Sequence, residues 1–451
     1  MASQAQRNAT EESPAIRQAV LASIVGSVLE WYDFSLYGSA AAIVFGQLFF
    51  PDFSPLAGTI AAFATYAAGF FARPLGGVVF GHLGDRVGRR NVLLATVMVM
   101  GLATFCIGVL PTYAQVGILA PVLLVLLRLL QGFGGGAEQS GAVLLVTEHA
   151  PRQRRGLYAS LPFIGITLGI LLAAGVFRAV TALPEEALLT WGWRVPFLLS
   201  AAVLGIGLYI RLRVLETPAF EEVKESQAKV RIPAVELFRH ARGNFFRAVG
   251  ARMAENGCSY IFQVFVLTYI VQLGLREGVG LTGVLIGAGV GMATLPLFGA
   301  LSDRVGRRPV YLGAAAFTLL FAFPYFWLLN TERPVLVWLA VTLSIAVGVY
   351  GMLAPQSSFF PELFEARYRY SGVALSRELS APIAGGVASF IAASLLAASG
   401  GAYWPVACYI ILLCAITLVA VYVTPETYRR DISDALARPD RTTGSIGKEE
   451  L

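Results

Sequence analysis

The chain has 451 residues, of which 56% are hydrophobic and only 14% charged, with a mean hydropathy of +0.68. Soluble proteins of this size carry roughly 25% charged residues, so this composition excludes a water-soluble enzyme and implies a polytopic membrane protein. The balance of 34 basic against 28 acidic residues, net +6, is carried almost wholly by arginines in loops between apolar runs, which fits orientation charges at a lipid surface and not nucleic acid.

Residues 1–17 are polar and lack the basic start and small-residue cleavage site of a signal peptide, so the first apolar segment is expected to stay in the protein. About twelve runs of spanning length follow, near 18–48, 56–81, 91–110, 117–148, 156–180, 194–213, 246–273, 281–301, 310–330, 335–360, 369–398 and 402–423. The long polar stretch between the sixth and seventh splits the chain. The expected organisation is a tail over 1–17, a first bundle over 18–213, a linker over 214–245, a second bundle over 246–424 and a tail over 425–451. Alternate loops carry Arg86, Arg89 and Arg90, then Arg152, Arg154 and Arg155, then the linker, then Arg304, Arg307 and Arg308. Cytoplasmic loops are rich in Lys and Arg, so these loops and both termini are expected in the cytoplasm.

The two halves echo each other. Gly81 to Val92 (GHLGDRVGRRNV) matches Gly299 to Val310 (GALSDRVGRRPV); Glu148 with its arginine-rich continuation matches Glu362 to Arg369; Glu216-Thr-Pro matches Pro425-Glu-Thr. Three matches in one order imply duplication. Two parallel six-span repeats describe an all-α membrane protein of the major facilitator fold, twelve transmembrane helices in two six-helix bundles, with a ligand site near the midplane between them.

A charge within the bilayer is costly and marks a functional position by default. Glu30 and Asp33 lie three apart on the first helix, with Tyr37 one turn on; two carboxylates so close in low dielectric share a proton more easily than they hold two charges. Arg73 precedes Pro74, Gly76 and Gly77, which permit close helix approach or a broken helix, and a guanidinium there suits forked binding of a substrate carboxylate or pairing with Asp33. Arg128 and Gln131 run into Gly134, Gly135, Gly136, Glu138 and Gln139, where small residues bring helices close. Arg252 with Glu255, and Arg377 with Glu378, offer either ligand contacts or structural pairs in the second half. In the repeated loop, Asp85, Arg86, Arg89 and Arg90, with Glu148, and their echoes Asp303, Arg304, Arg307 and Arg308, with Glu362, have the chemistry of a gating latch, with simple topology charges as the alternative. Four cysteines without ligand spacing and three scattered histidines give no metal site. Gly134 to Gly136 lacks the lysine of a phosphate loop, so no nucleotide or other cofactor is expected.

The run EWYDFSLYG from Glu30 to Gly38, followed by GFFARPLGG from Gly69, FGHLGD from Phe80, RLLQG from Arg128, WGWRVPF from Trp191 and YRYSG from Tyr368, resembles the metabolite:proton symporters of the major facilitator superfamily, most of all their shikimate-transporting branch. The resemblance implies a secondary active symporter, not an enzyme, that imports a small polar metabolite with a proton, an organic carboxylate such as a shikimate-like or dicarboxylic acid. Glu30, Asp33 and Glu138 are expected in proton coupling. Arg73, Tyr37, Arg128, Gln131, Gln139, Arg377 and Glu378 are expected around the substrate. Two departures fall at that site: Gly136-Ala-Glu138-Gln139-Ser140 replaces the usual Gly-Gly-Glu-aromatic-Gly, and the charged Arg377-Glu378 stands where relatives often carry Tyr-Gln. The resemblance also implies a bacterial inner membrane. Partners are thus the substrate, protons and the bilayer, with the chain acting as a monomer. A betaine- or proline-like zwitterion, an uncoupled facilitator or exporter, and a non-transporting sensor are the competing readings.

Overall fold

A computed structural model describes residues 14–217, 219–221, 233–385, 387–428, 430 and 432. The expected tails and linker fall partly outside these residues. Twelve long helices follow in chain order. They are α1 (Pro14–Phe49), α2 (Pro55–Val87), α3 (Arg89–Val109), α4 (Leu119–His149), α5 (Arg152–Val180) and α6 (Arg194–Leu212). After a short helix at Pro233–His240 come α7 (242–272), α8 (Glu277–Val305), α9 (Arg307–Leu329), α10 (Pro334–Leu363), α11 (Arg369–Ala398) and α12 (Trp404–Tyr422). No strand occurs among the described residues, and ten of these helices are long and apolar enough to cross a membrane. Phe71, Leu75, Leu297, Leu320 and Phe390 are largely exposed on their outer surfaces, as lipid contact demands.

Six helices pack into each half. In the first, α1 lies against α4, α5 and α6, while α2 and α3 flank α4; in the second, α7 and α9 pack on α12, and α8 on α10. The small residues of α4 let α2 come very close. A Cβ on Gly136 would fall on the Arg73 carbonyl oxygen, and one on Gly132 on that of Gly69. Gly136→Val is therefore expected to abolish accumulation of folded protein, read as a monodisperse peak in detergent, because backbone cannot give way as a flexible side chain can.

Helix α2 runs unbroken through Pro74, and of the two expectations there it is the close approach that forms, since a Cβ on Gly76 would fall on the Phe133 carbonyl oxygen. A π turn at Ala381–Gly385 follows Arg377 in α11, one of several such turns within the long helices. The repeat is visible in the backbone, because α2 turns into α3 at Gly88 with φ 114° and α8 into α9 at Gly306 with φ 110°. Only glycine adopts such angles freely.

The halves meet through α2 with α11, α5 with α8 and α10, and α4 with α10 and α11. These contacts concentrate where α2, α4, α8 and α10 end and α5 and α11 begin. That is the arginine-rich end of the molecule.

Candidate functional site

At the arginine-rich end the duplicated motif builds two matching networks. Asp85 at the end of α2 accepts hydrogen bonds from Tyr370 N (3.0 Å) and Ser371 N (2.9 Å) at the start of α11. Asp303 at the end of α8 accepts from Gly156 N (2.8 Å) and Leu157 N (2.9 Å) near the start of α5. Each carboxylate thus caps a helix of the opposite half, where unsatisfied N–H groups favour negative charge. Behind them Arg89 pairs with Asp85 (3.5 Å) and Glu148 (3.4 Å), as Arg307 does with Asp303 (2.6 Å) and Glu362 (3.1 Å). Arginines of the opposite half complete both: Arg369 reaches Glu148 (2.8 Å) and Arg155 reaches Glu362 (3.1 Å).

The expected latch set is therefore brought together at Asp85, Arg89, Glu148, Asp303, Arg307 and Glu362. Four arginines differ. Arg90 and Arg308 donate to the carbonyls of Leu212 and Tyr422, fastening α3 to α6 and α9 to α12 within each half. Arg86 and Arg304 are exposed and form no ion pair among the described residues. Loop spacing alone hid the roles of Glu216 and Glu426, which accept from the first N–H groups of α3 and α9. Their place in the repeated Glu-Thr echoes was the available signal. The segment after α12 joins these networks, because Arg155 donates to the Arg430 carbonyl and Arg369 to that of Ile432.

Midway along the helices lies a second layer. Arg73 pairs with Glu30 of its own half (2.8 Å) and reaches across to Glu378 of the other with two nitrogens, at 3.2 and 3.4 Å. The expected pairing of Arg73 with Asp33 is thus replaced by a bridge between the halves. Arg377 donates to Gln139 of the first half (2.7 Å) and Gln356 of its own (3.3 Å), with the Phe163 ring 5.5 Å away. Arg252 pairs with Glu255 (3.3 Å) and donates to Ser380 and the Arg377 carbonyl. Charged residues in mid-helix are kept from lipid by facing this seam.

Deeper in the first half lies a cluster of rings around a buried charge. Arg128 of α4 is fully buried in a cage of rings, its guanidinium carbon 4.3 Å from the centre of Phe34, 4.5 Å from Tyr37, 4.6 Å from Tyr66 and 6.0 Å from Phe70. It donates to the Tyr66 carbonyl and to Gln131, whose amide is held in turn by Thr104 (2.7 Å). Such a cage supplies a desolvated cation with about 2 kcal/mol or more. Asp33, 1% exposed, shares the pocket, yet neither of its oxygens has a hydrogen-bond partner. The Thr104 hydroxyl donates instead to the Met100 carbonyl. Tyr37, whose hydroxyl is 2.6 Å from Thr65, forms a wall of the cage. Glu138 lies elsewhere: both its oxygens are engaged by Arg211 of α6, and Thr96 donates to one of them. Arg211 and Gln356 carried no local sequence signal. No group of acidic, histidine or cysteine side chains suited to a metal occurs among the described residues.

Residues 23–386 match the Major Facilitator Superfamily, and the chain belongs to that family. It is 40% identical over 420 residues to the shikimate transporter of Escherichia coli (strain K12), covering 92% of this chain and 95% of that one. To the glycine betaine/proline/ectoine/pipecolic acid transporter OusA of Dickeya dadantii (strain 3937) it is 36% identical over 433 residues, covering 93% and 85%. A structure of the proton:xylose symporter XylE bound to 6-bromo-6-deoxy-D-glucose superposes with a TM-score of 0.75 at 16% identity, over 95% of this chain and 99% of the other, which shows the shared fold. The chain is a multi-pass membrane transporter and not an enzyme.

Proposed function

We propose that the protein is a proton-coupled symporter that imports a small organic carboxylate by alternating access. The observation that carries this is the Asp33–Arg128 pocket. A buried carboxylate and a buried guanidinium share it without touching. Burying a bare charge costs several kcal/mol, and that cost at Asp33 is removed either by a proton or by the approach of Arg128. Arg128 can leave its rings for Asp33 only when the proton departs, so protonation and the position of α4 against α1 are linked. Because α4 also carries Gln139 to the seam and Glu148 to the latch, this link reaches both the substrate layer and the closed end.

The arginine excess sets the latched end in the cytoplasm, with both termini there, so the structure is closed to the cell interior. Arg73 then serves as the bridge between the halves rather than as the substrate anchor, with Glu30 holding it in place. The protein works as a single chain, since each chain contains both halves of the seam.

The reading is tested in proteoliposomes with an inward pH gradient, using shikimate, quinate, α-ketoglutarate, proline and glycine betaine. An organic acid should accumulate, and a protonophore should collapse the gain. Accumulation that survives the protonophore would remove the coupling, and uptake confined to proline and betaine would transfer the protein to the zwitterion carriers. A further expectation concerns Arg73→Lys. A single ammonium cannot span Glu30 and the fork on Glu378, so uptake should slow by about tenfold, measured at matched expression. Unchanged rates would remove the bridge.

A further inference from the structure

We infer that Arg377 is the carboxylate anchor of the substrate site and that the cargo is a monoanion, an inference resting on the symport reading through the proton assigned to Asp33. Eight charged side chains occupy the central layer and its adjoining pocket. The carboxylates Glu30, Asp33, Glu255 and Glu378 equal in number the guanidiniums Arg73, Arg128, Arg252 and Arg377. Arg73 is held by two carboxylates and Arg252 by one, while Arg128 is sealed among rings. Arg377 is different. Among the described residues it has no carboxylate in ion-pairing range, and its hydrogen-bonded partners are neutral amide oxygens, Gln139 from one half and Gln356 from the other.

Those two amides hold the places that the oxygens of a carboxylate would take. A guanidinium binds a carboxylate about twice as strongly as a neutral acceptor, in a forked geometry that an amide pair only approximates. The position is also reachable. Arg377 itself is 3% exposed, but its neighbours Gln139, Arg252, Glu255 and Glu378 keep 5–8% although they sit in mid-helix between the halves. That residual exposure lies beside Arg377, whereas Arg128 itself is fully buried. Binding would displace the Gln139 amide and so act on the contact that joins the halves at this level.

Charge counting then selects the cargo. The empty layer is neutral with every group ionised. A proton on Asp33 alone leaves it at +1, and a monoanion on Arg377 alone leaves it at −1. With both bound it is neutral again. Only the empty and the fully loaded layers cross the low-dielectric transition without an uncompensated charge, which couples one proton to one monocarboxylate. A dicarboxylate would leave the loaded layer at −1, and a zwitterion would leave it at +1.

The test uses the full chain in detergent and in proteoliposomes. Shikimate, quinate and benzoate, each paired with its carboxamide, are compared by calorimetric binding to the wild type, to Arg377→Gln and to Arg377→Lys. The wild type should prefer acid over amide by at least tenfold. Arg377→Gln should bring the two within about threefold, and Arg377→Lys should retain part of the preference. Gln139→Ala, which removes the competing amide and leaves Arg377 intact, should tighten acid binding severalfold; this variant decides the matter if Arg377→Gln does not fold. Wild-type uptake of the preferred acid should respond to a pH gradient and not to an imposed potassium diffusion potential. An acid preference that survives in Arg377→Gln or weaker acid binding in Gln139→Ala would overturn the anchor, and uptake driven by the potential would overturn the monoanion count, each leaving proton symport standing. Loss of proton dependence for every acid, with Asp33→Asn behaving as wild type, would instead defeat the symport reading itself.

Discussion

Asp33→Asn should abolish uphill accumulation while counterflow of preloaded substrate continues. The amide nearly preserves the shape of the carboxylate, carries no charge and cannot exchange a proton, so Arg128 should remain in its cage whatever the pH. Without the exchangeable charge, no work can be drawn from the proton gradient, and the steady-state inside-to-outside ratio should fall to about one. Equilibrium exchange needs only the rocking of the halves and should persist within severalfold. Arg128→Gln is the complementary change. Without Arg128 the ring cage loses its cation and a deprotonated Asp33 has nothing to neutralise it, so that variant should lose both stability and transport. The double variant Asp33→Asn with Arg128→Gln should recover stability but not accumulation. Normal accumulation by Asp33→Asn would show that the proton binds elsewhere.

The second large effect is expected at the arginine-rich end. Asp85 and Asp303 each hold two backbone N–H groups of the opposite half, and neither helix start has a side-chain cap of its own. A charged cap at such a position contributes about 1–2 kcal/mol. Asp85→Asn keeps an acceptor oxygen but loses the charge that Arg89 shares, so the closed state should lose roughly tenfold in population, since 1.4 kcal/mol is a factor of ten. Substrate binding should change little, while turnover should drop, because one side of the cycle has been made unfavourable. Asp303→Asn should do the same through the other network, and the double variant should show the product of the two effects, as separate networks predict. Distances between spin labels across α5 and α8 at that end would report the opening directly. An unshifted distance distribution in the double variant would reduce both aspartates to folding elements.

The symmetry of these networks explains why much of their membership was legible in the chain. The motif from Gly81 to Val92 and its copy from Gly299 carry Asp, Arg and Gly at fixed offsets. A positive-φ glycine between two helices forces the loop to turn so that the arginine after it points back toward the carboxylate four residues earlier. These are local relations, and local relations survive in sequence. The central layer was legible only as an inventory. Glu30, Asp33, Arg73, Arg128, Arg377 and Glu378 stand out as charges in apolar runs, but their partners do not. Arg73 and Glu378 are 305 residues apart, and nothing along the chain distinguishes that pairing from one with Asp33. Glu138 stood out equally well and lies in a separate pair with Arg211.

From its letters alone the chain determined that it is a duplicated twelve-span membrane protein with an arginine-rich end, because span length, hydropathy and loop charge are properties of consecutive residues responding to a bilayer. The tertiary structure alone decided which buried charges neutralise each other and which are left with neutral partners. The reason is physical: in low dielectric an ion pair is a matter of a few ångströms between helices. Those distances are set by how glycine faces and rings pack, and not by spacing along the backbone.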